Sequence, residues 1–205
     1  SHRKSRQTRR NRRPPRGRTR ETGTHVHLLL NAATAVLQLN NPSHFNSFST
    51  ELGEDMRFAV KYLCSTSSAA PIVLQGAGPH FSIGGDRYER MVATASASSA
   101  MSKVKLYDGF VQLRTLPVPV VCALHGTLIG GGVAGCLHGD CIIADERCVL
   151  EHGNLVRGLC VLGMLSKTFA AIGPHAQHMY LQNAQIDARM AKALGLVHQL
   201  RLGVA

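Results

Sequence analysis

"HGTLIGGGVAGCLHGD" (residues 125–140) decides how this chain folds, because three consecutive glycines join a strand-like segment to one that can turn helical. The residues leading into it, "VPVVCALHG" (118–126), are a short β-branched run of the kind that makes a buried strand. Beyond the glycines, Val133, Cys136 and Leu137 fall at i, i+3 and i+4, a helical spacing. Glycines at such a joint let the backbone bend sharply and approach another group with no Cβ in the way. Three readings compete: a dinucleotide loop, tight packing without a ligand, and a backbone anion hole.

Length and composition set the bounds. At 205 residues the chain suits one domain with a proper core. Aromatics are 5% and Trp is absent, so that core must be mostly Leu, Val, Ala and Ile. No apolar run approaches the ~18 residues of a spanning helix. The six cysteines (64, 122, 136, 141, 148, 160) show no CxxC pair and mostly lie in apolar stretches. They read as reduced buried thiols of an intracellular, cytoplasmic protein, with an organelle as the other location, and no metal site is expected.

The net charge of +11 looks like a nucleic-acid signal until it is located. "SHRKSRQTRRNRRPPRGRTRE" (1–21) holds ten of the 23 Lys and Arg and one acid, so +9 of the +11 sits there. This stretch lacks apolar periodicity and contains Pro14-Pro15, so a disordered basic tail is expected over 1–24. Such a tail would contact RNA or an anionic surface without sequence preference, or serve as an address. The folded domain is expected over 25–205.

That domain reads as α/β. "HVHLLL" and "TAVLQLN" (34–40) flank Asn31-Ala32-Ala33, a hairpin-like pair. "STELGEDMRFAVKYLC" (49–64) predicts a helix capped by Ser49 or Thr50, with Leu52, Met56, Ala59, Val60 and Leu63 on one face. "APIVLQG" (70–76) predicts a buried strand and "GPHFSIGGD" (78–86) a glycine-rich loop. A helical span is expected at about 97–115, then strands at 118–124, 141–145 and 148–151. From about 163 the chain reads as helical, with Asp187 capping the last helix and Gly195 stopping it. Strands alternating with helices predict parallel pairing with helices packed against the sheet.

"GGGVAG" (130–135) does match the G-x-G-x-x-G dinucleotide fingerprint. That fingerprint belongs to the turn directly after a strand, whereas "TLI" intervenes here and the next strand returns too soon. Two glycine loops taken together read better. "HFSIGGD" (80–86) and "GTLIGGG" (126–132) each follow a predicted strand, where ligands of open α/β sheets bind. One backbone N–H from each loop would converge on a single oxygen, an oxyanion hole suited to an enolate of a thioester.

These residues resemble the crotonase, or enoyl-CoA hydratase/isomerase, superfamily over about 26–200. The resemblance rests on "LNNPSHFNSFSTEL" (39–52), "GAGPHFSIGGD" (76–86), "PVPVVCALHGTLIGGGVAGCLHGDCIIADERCVL" (117–150) and "IDARMAKALGLVHQL" (186–200). It implies a spiral of ββα units, a trimer or hexamer when full length, and an acyl-CoA or acyl-carrier-protein substrate with no separate cofactor. It also implies backbone N–H donors at Ile83 and Gly131. Phe45, Asn46 and Ser47 would then lie along the pantetheine arm. Ser82, Gly84, Gly85, Asp86 and Gly130 would line the thioester and nucleotide side.

The departures matter as much. Hydratases of the family carry a glutamate at the position of Ala134 and a second at the position of Asn154. Neither an alkyl nor an amide group can act as general acid or base, so hydration through that pair is not expected. The family's C-terminal helices are missing from a chain that stops at Ala205. A hole without the glutamates still stabilises an enolate, each donor lowering the barrier by about 3 kcal/mol. Decarboxylation needs mainly that, and double-bond isomerisation needs one base. His152 is the candidate acid/base, with Glu151, His138 and Asp86 nearby in sequence. The pattern resembles the decarboxylase and isomerase members of polyketide β-branching. A catalytically inactive module of the same fold is the alternative.

Overall fold

The computed structural model describes residues 18–21, 23–31, 33–66, 70–86, 107–158 and 162–203. Strands β2 (Val26–Leu30) and β3 (Ala35–Leu39) form the expected hairpin. Asn31 Oδ1 closes its turn by accepting the N–H groups of Ala33 at 2.9 Å and Thr34 at 2.7 Å. Helix α1 (Thr50–Ser65) starts at Ser49, whose Oγ accepts the Leu52 N–H at 3.2 Å. Its buried stripe is the predicted one: Leu52, Met56, Ala59, Val60 and Leu63.

Strands β4 (Ile72–Gly76), β5 (Val120–Leu124), β7 (Cys141–Asp145) and β10 (Gln199–Arg201) extend the sheet from β3, each parallel to its neighbour. A small second sheet holds β6 (Thr127–Ile129), β8 (Val149–Glu151) and β9 (Gln185–Asp187). Strand β6 runs parallel to β8, and β9 antiparallel to it. Leu28, Leu37, Leu39, Leu74 and Leu124 of the large sheet are fully buried, as are Leu52 and Met56 of α1. Phe48, Phe81 and Phe110 share that core, with the Phe48 and Phe110 rings stacked at 4.6 Å. Each such side chain contributes about 1.5–3 kcal/mol on burial, so the loops anchored to this core have a firm base.

The three glycines open helix α2 (Gly131–Cys136), as the spacing predicts. Of the helix expected at 97–115, residues 107–112 are helical and Leu113–Thr115 form a 3-10 turn, while 97–106 lie outside the described residues. The C-terminal part contains helices α3 (Leu162–Ile172), α4 (Pro174–Gln182) and α5 (Ala188–Ala193). Asp187 caps α5 by accepting the Met190 N–H at 2.7 Å. The continuous helical reading fails at β9 and β10, three-residue strands too short to show a period of two.

The tail also differs from expectation. Arg18–Glu21 form strand β1, antiparallel to β2 from Arg18↔Leu30 to Glu21↔His27. An open sheet edge offers unpaired N–H and C=O groups to any backbone, whatever its charge. Residues 1–17 lie outside the described residues. The described cysteines are all free: Cys122, Cys136 and Cys148 are buried, Cys141 is partly so and Cys64 is exposed. No helix among the described residues is long and apolar enough to cross a membrane.

Candidate active site

The two glycine loops meet. The first leaves β4 and the second leaves β5 through β6, so both stand at the carboxyl ends of parallel strands. Ser82 bridges Leu128, and the Ile129 N–H donates to the Ser82 carbonyl at 3.2 Å. A Cβ at Gly132 would overlap that same Ser82 carbonyl. A Cβ at Gly84, where φ is +82°, would lie 2.6 Å from the Gly131 nitrogen. The triple glycine is therefore required by the approach of one loop to the other.

Two histidines fasten this contact from behind. His80 Nδ1 accepts the Thr127 N–H at 3.0 Å, and His125 Nε2 donates to the Gly78 carbonyl at 3.0 Å. The Phe81 N–H adds a bond to the His125 carbonyl at 3.0 Å. Burial, reinforced by the neighbouring His125, holds His80 below the ordinary histidine range, so it stays neutral and can accept.

Hydrogen bonds within the first loop already engage most of the N–H groups at 83–86. The Ile83 N–H donates to the Phe45 carbonyl at 3.2 Å, and the Gly84 N–H to Ser82 Oγ at 3.1 Å. The Asp86 N–H is taken by the Phe48 carbonyl at 3.0 Å. Within 83–86 only the Gly85 N–H has no acceptor among the described residues, and its α-carbon faces open space. Gly131, at the first position of α2, likewise has no N–H acceptor among them. Ile83 is therefore occupied, and within 83–86 Gly85 holds the open N–H.

The residues expected along the pantetheine arm divide. Asn46 is fully buried in a left-handed conformation (φ 53°), and its Nδ2 is within bonding distance of three carbonyls. These are Ala77 at 2.8 Å, His80 at 2.9 Å and Phe81 at 3.1 Å, while its Oδ1 accepts the Asn41 N–H at 2.8 Å. Asn46 thus shapes the loop from inside. Ser82 does the same, donating its hydroxyl to the Asn46 carbonyl at 2.7 Å. Phe45 is half exposed with its ring edge against His80, and Ser47 Oγ donates to Asp86 Oδ2 at 3.1 Å.

Ala134 and Asn154 border the second loop. Ala134 is buried on α2, and its carbonyl accepts from His138 Nδ1 at 2.9 Å, which commits His138 to the helix end. A Cβ at Gly130 would lie 3.1 Å from Asn154 Oδ1 and 3.4 Å from the His152 carbonyl. Asn154 Nδ2 lies 3.2 Å from His152 Nδ1. The His152 imidazole is buried with its edge to Tyr180, and its Nε2 has no hydrogen-bond partner among the described residues. Burial lowers its pKa. Glu151 is a structural anchor: burial pushes its carboxyl up, but Gln185 at 2.9 Å, Asn183 at 3.2 Å and Arg157 together bring it below the usual range. Arg157 also donates to the Gly153 carbonyl, closing the turn after β8.

Sequence reasoning missed one residue, Tyr107. A Cβ at Gly131 would stand 2.5 Å from Tyr107 Oη and 3.3 Å from the Phe48 ring. The Tyr107 ring meets Phe48 edge to face at 5.7 Å. A lone tyrosine in a helical span carries no motif, and only its distance of one sheet crossover from Gly131 hinted at this contact. Among the described residues no cluster of three His, Cys, Asp or Glu could hold a metal ion.

The strands and their two meeting glycine loops lie within residues 30–201, which match the Enoyl-CoA hydratase/isomerase family. The chain belongs to that family. It is 33% identical over 174 residues to the 1,2-epoxyphenylacetyl-CoA isomerase of Escherichia coli, covering 80% of this chain and 64% of that protein. It is 26% identical over 172 residues to the mitochondrial enoyl-CoA hydratase of Pongo abelii, covering 83% and 58%. Among solved structures, an enoyl-CoA hydratase from Shewanella pealeana superposes with a TM-score of 0.81 at 20% identity, covering 86% of this chain and 68% of that one. A Thermobifida fusca relative solved in complex with acetoacetyl-CoA gives 0.75 at 21% identity, covering 88% and 74%. At such identities these likenesses show the fold, the crotonase-type α/β arrangement. The chain spans roughly three fifths to two thirds of the length of curated relatives it matches.

Proposed function

We propose that the protein acts on an acyl-CoA or acyl-carrier-protein thioester through an enolate whose oxygen is held by the N–H groups of Gly85 and Gly131. The observation that carries this reading is the pair of open N–H groups on two loops that touch. Such donors act on the charge that develops in the transition state, and each lowers the barrier by about 3 kcal/mol.

The reaction favoured is decarboxylation or double-bond isomerisation over hydration, because Ala134 and Asn154 supply no carboxylate to handle water. Loss of carbon dioxide from a malonyl-type thioester, whose α-carbon carries a carboxylate, leaves the bonding electron pair as an enolate directly, which is what two backbone donors stabilise. A double-bond shift also requires a base. His152, kept neutral by burial and adjacent in sequence to the Gly130 contact, is the residue proposed for it. The polyketide β-branching enzymes are the branch of the family whose chemistry this pattern fits.

A second reading, a module that keeps the fold and turns nothing over, draws on the same two replacements. One experiment separates them. The protein is incubated with malonyl-, methylmalonyl-, 3-enoyl- and crotonyl-thioesters of CoA and carrier protein, and products are read by mass spectrometry. Decarboxylated or isomerised products with negligible crotonyl-CoA hydration are expected. Robust hydration would overturn the reaction assignment, and no product from any thioester would favour the inactive module.

A further inference from the structure

We propose that Tyr107 is a further catalytic residue, whose hydroxyl donates a third hydrogen bond to the thioester oxygen beside Gly131. This inference rests on the reading of Gly85 and Gly131 as the enolate-binding pair.

The geometry is direct. With a carbon–carbon bond of about 1.5 Å, the position of a Cβ at Gly131 puts Tyr107 Oη within about 4 Å of the Gly131 α-carbon. Gly84 approaches Gly131 from the same side, since its α-carbon would be 3.3 Å from that Cβ. The hydroxyl therefore lies where the first loop, the second loop and the helical residues 107–112 meet. Phe48 fixes the ring: it touches Tyr107 edge to face, stacks on Phe110 and lies within 3.3 Å of the same Cβ position. Phe48 is fully buried and its backbone pairs with Gly84 and Asp86, so the platform that orients Tyr107 also holds the first loop.

The chemistry fits the gap left in this chain. Ala134 and Asn154 cannot give a proton to, or share one with, a developing oxyanion as an acid does. A phenol can donate, and Tyr107 brings a side-chain hydroxyl against Gly131. The same contact explains why position 131 is glycine: a methyl group there would displace the hydroxyl.

The test uses the full 205-residue chain and Tyr107→Phe, which removes one oxygen and keeps the ring that packs on Phe48. Acetoacetyl-CoA is the probe, because its enolate absorbs in the ultraviolet and reports stabilisation of the oxygen without turnover. In the unmodified protein, binding should raise the enolate fraction at fixed pH. In Tyr107→Phe the dissociation constant should change by less than about threefold, while the enolate's apparent pKa rises by about one unit, a tenfold loss. Unfolding midpoints of the two proteins should coincide. An enolate fraction unchanged in Tyr107→Phe would overturn the role of Tyr107 and leave the Gly85 and Gly131 pair standing. No enolate with the unmodified protein would overturn the pair, and the Tyr107 role with it.

Discussion

His80 Nδ1 accepts the Thr127 N–H at 3.0 Å, so one imidazole ties the loop after β4 to the strand that delivers the triple glycine. His80→Ala leaves a part-buried N–H without its partner and should cost about 1–2 kcal/mol. His80→Asn restores an acceptor at the Nδ1 position, because the Asn Oδ1 branches from the same carbon. Denaturant unfolding should therefore rank the alanine variant well below the asparagine variant. Equal midpoints would show that the bond contributes nothing.

The pH dependence has a definite sign. His80, His138 and His152 all titrate below the ordinary histidine value of 6.5, in each case chiefly because burial disfavours the imidazolium. The unfolded chain thus binds protons at these sites more readily, and their contribution is fully present above 6.5. It declines as pH falls through 6.5 toward the folded-state values. Glu151, held below its ordinary 4.5, contributes in the same direction at more acid pH. Urea midpoints should drop between about pH 7.5 and 5.5 and drop again below about 4.5. A flat profile to pH 5 would contradict the histidine assignment.

Asn46 offers a sharper test of how the first loop is built. Asn46→Ala removes the amide that meets three carbonyls and leaves at φ 53° a residue that tolerates the left-handed region less well than asparagine, a combined cost of about 3 kcal/mol. Asn46→Asp is near-isosteric but aims an oxygen at those carbonyls, and should destabilise at neutral pH more than at acid pH. Thermal unfolding at the two pH values reads this difference. An aspartate variant as stable as the parent at neutral pH would mean that the Nδ2 contacts are not formed.

Neighbouring glycines should behave oppositely. Gly84→Ala forces a left-handed backbone onto a residue with a β-carbon and drives that carbon to 2.6 Å from the Gly131 nitrogen, costing more than about 2 kcal/mol. Gly85→Ala meets nothing within 4 Å and keeps its N–H, so stability should change by less than about 0.5 kcal/mol. Calorimetric midpoints of the two variants decide it.

The long elements were legible in the sequence because their side chains repeat. Leu52, Met56, Ala59, Val60 and Leu63 mark α1, and the β-branched runs mark β4 and β5. Ser49 and Asp187 announce their caps through chemistry that works locally. The three-residue strands β6, β9 and β10 were not legible, since each is defined by a partner far along the chain. Which N–H of the first loop is left open was not legible for a similar reason. Ile83 and Gly85 differ in whether Phe45 has already claimed the N–H, and that depends on a fold around Asn46 that no spacing reports. Tyr107 reaches Gly131 only because a helix crosses back over the sheet.

Strand β1 has a consequence for handling this protein. Its sequence, Arg-Thr-Arg-Glu, ends the seven-stranded sheet on three charged residues out of four. A strand laid along an edge takes up backbone N–H and C=O groups that would otherwise be open to another chain. Cut before Arg18, the chain would lose eight of its basic residues and keep that guard. Cut after Glu21, it would end the sheet on Val-His-Leu-Leu-Leu, a sticky ribbon that invites a second molecule to continue the ladder. Four residues of the arginine-rich N-terminal stretch would then be what keeps this domain from polymerising through its own backbone.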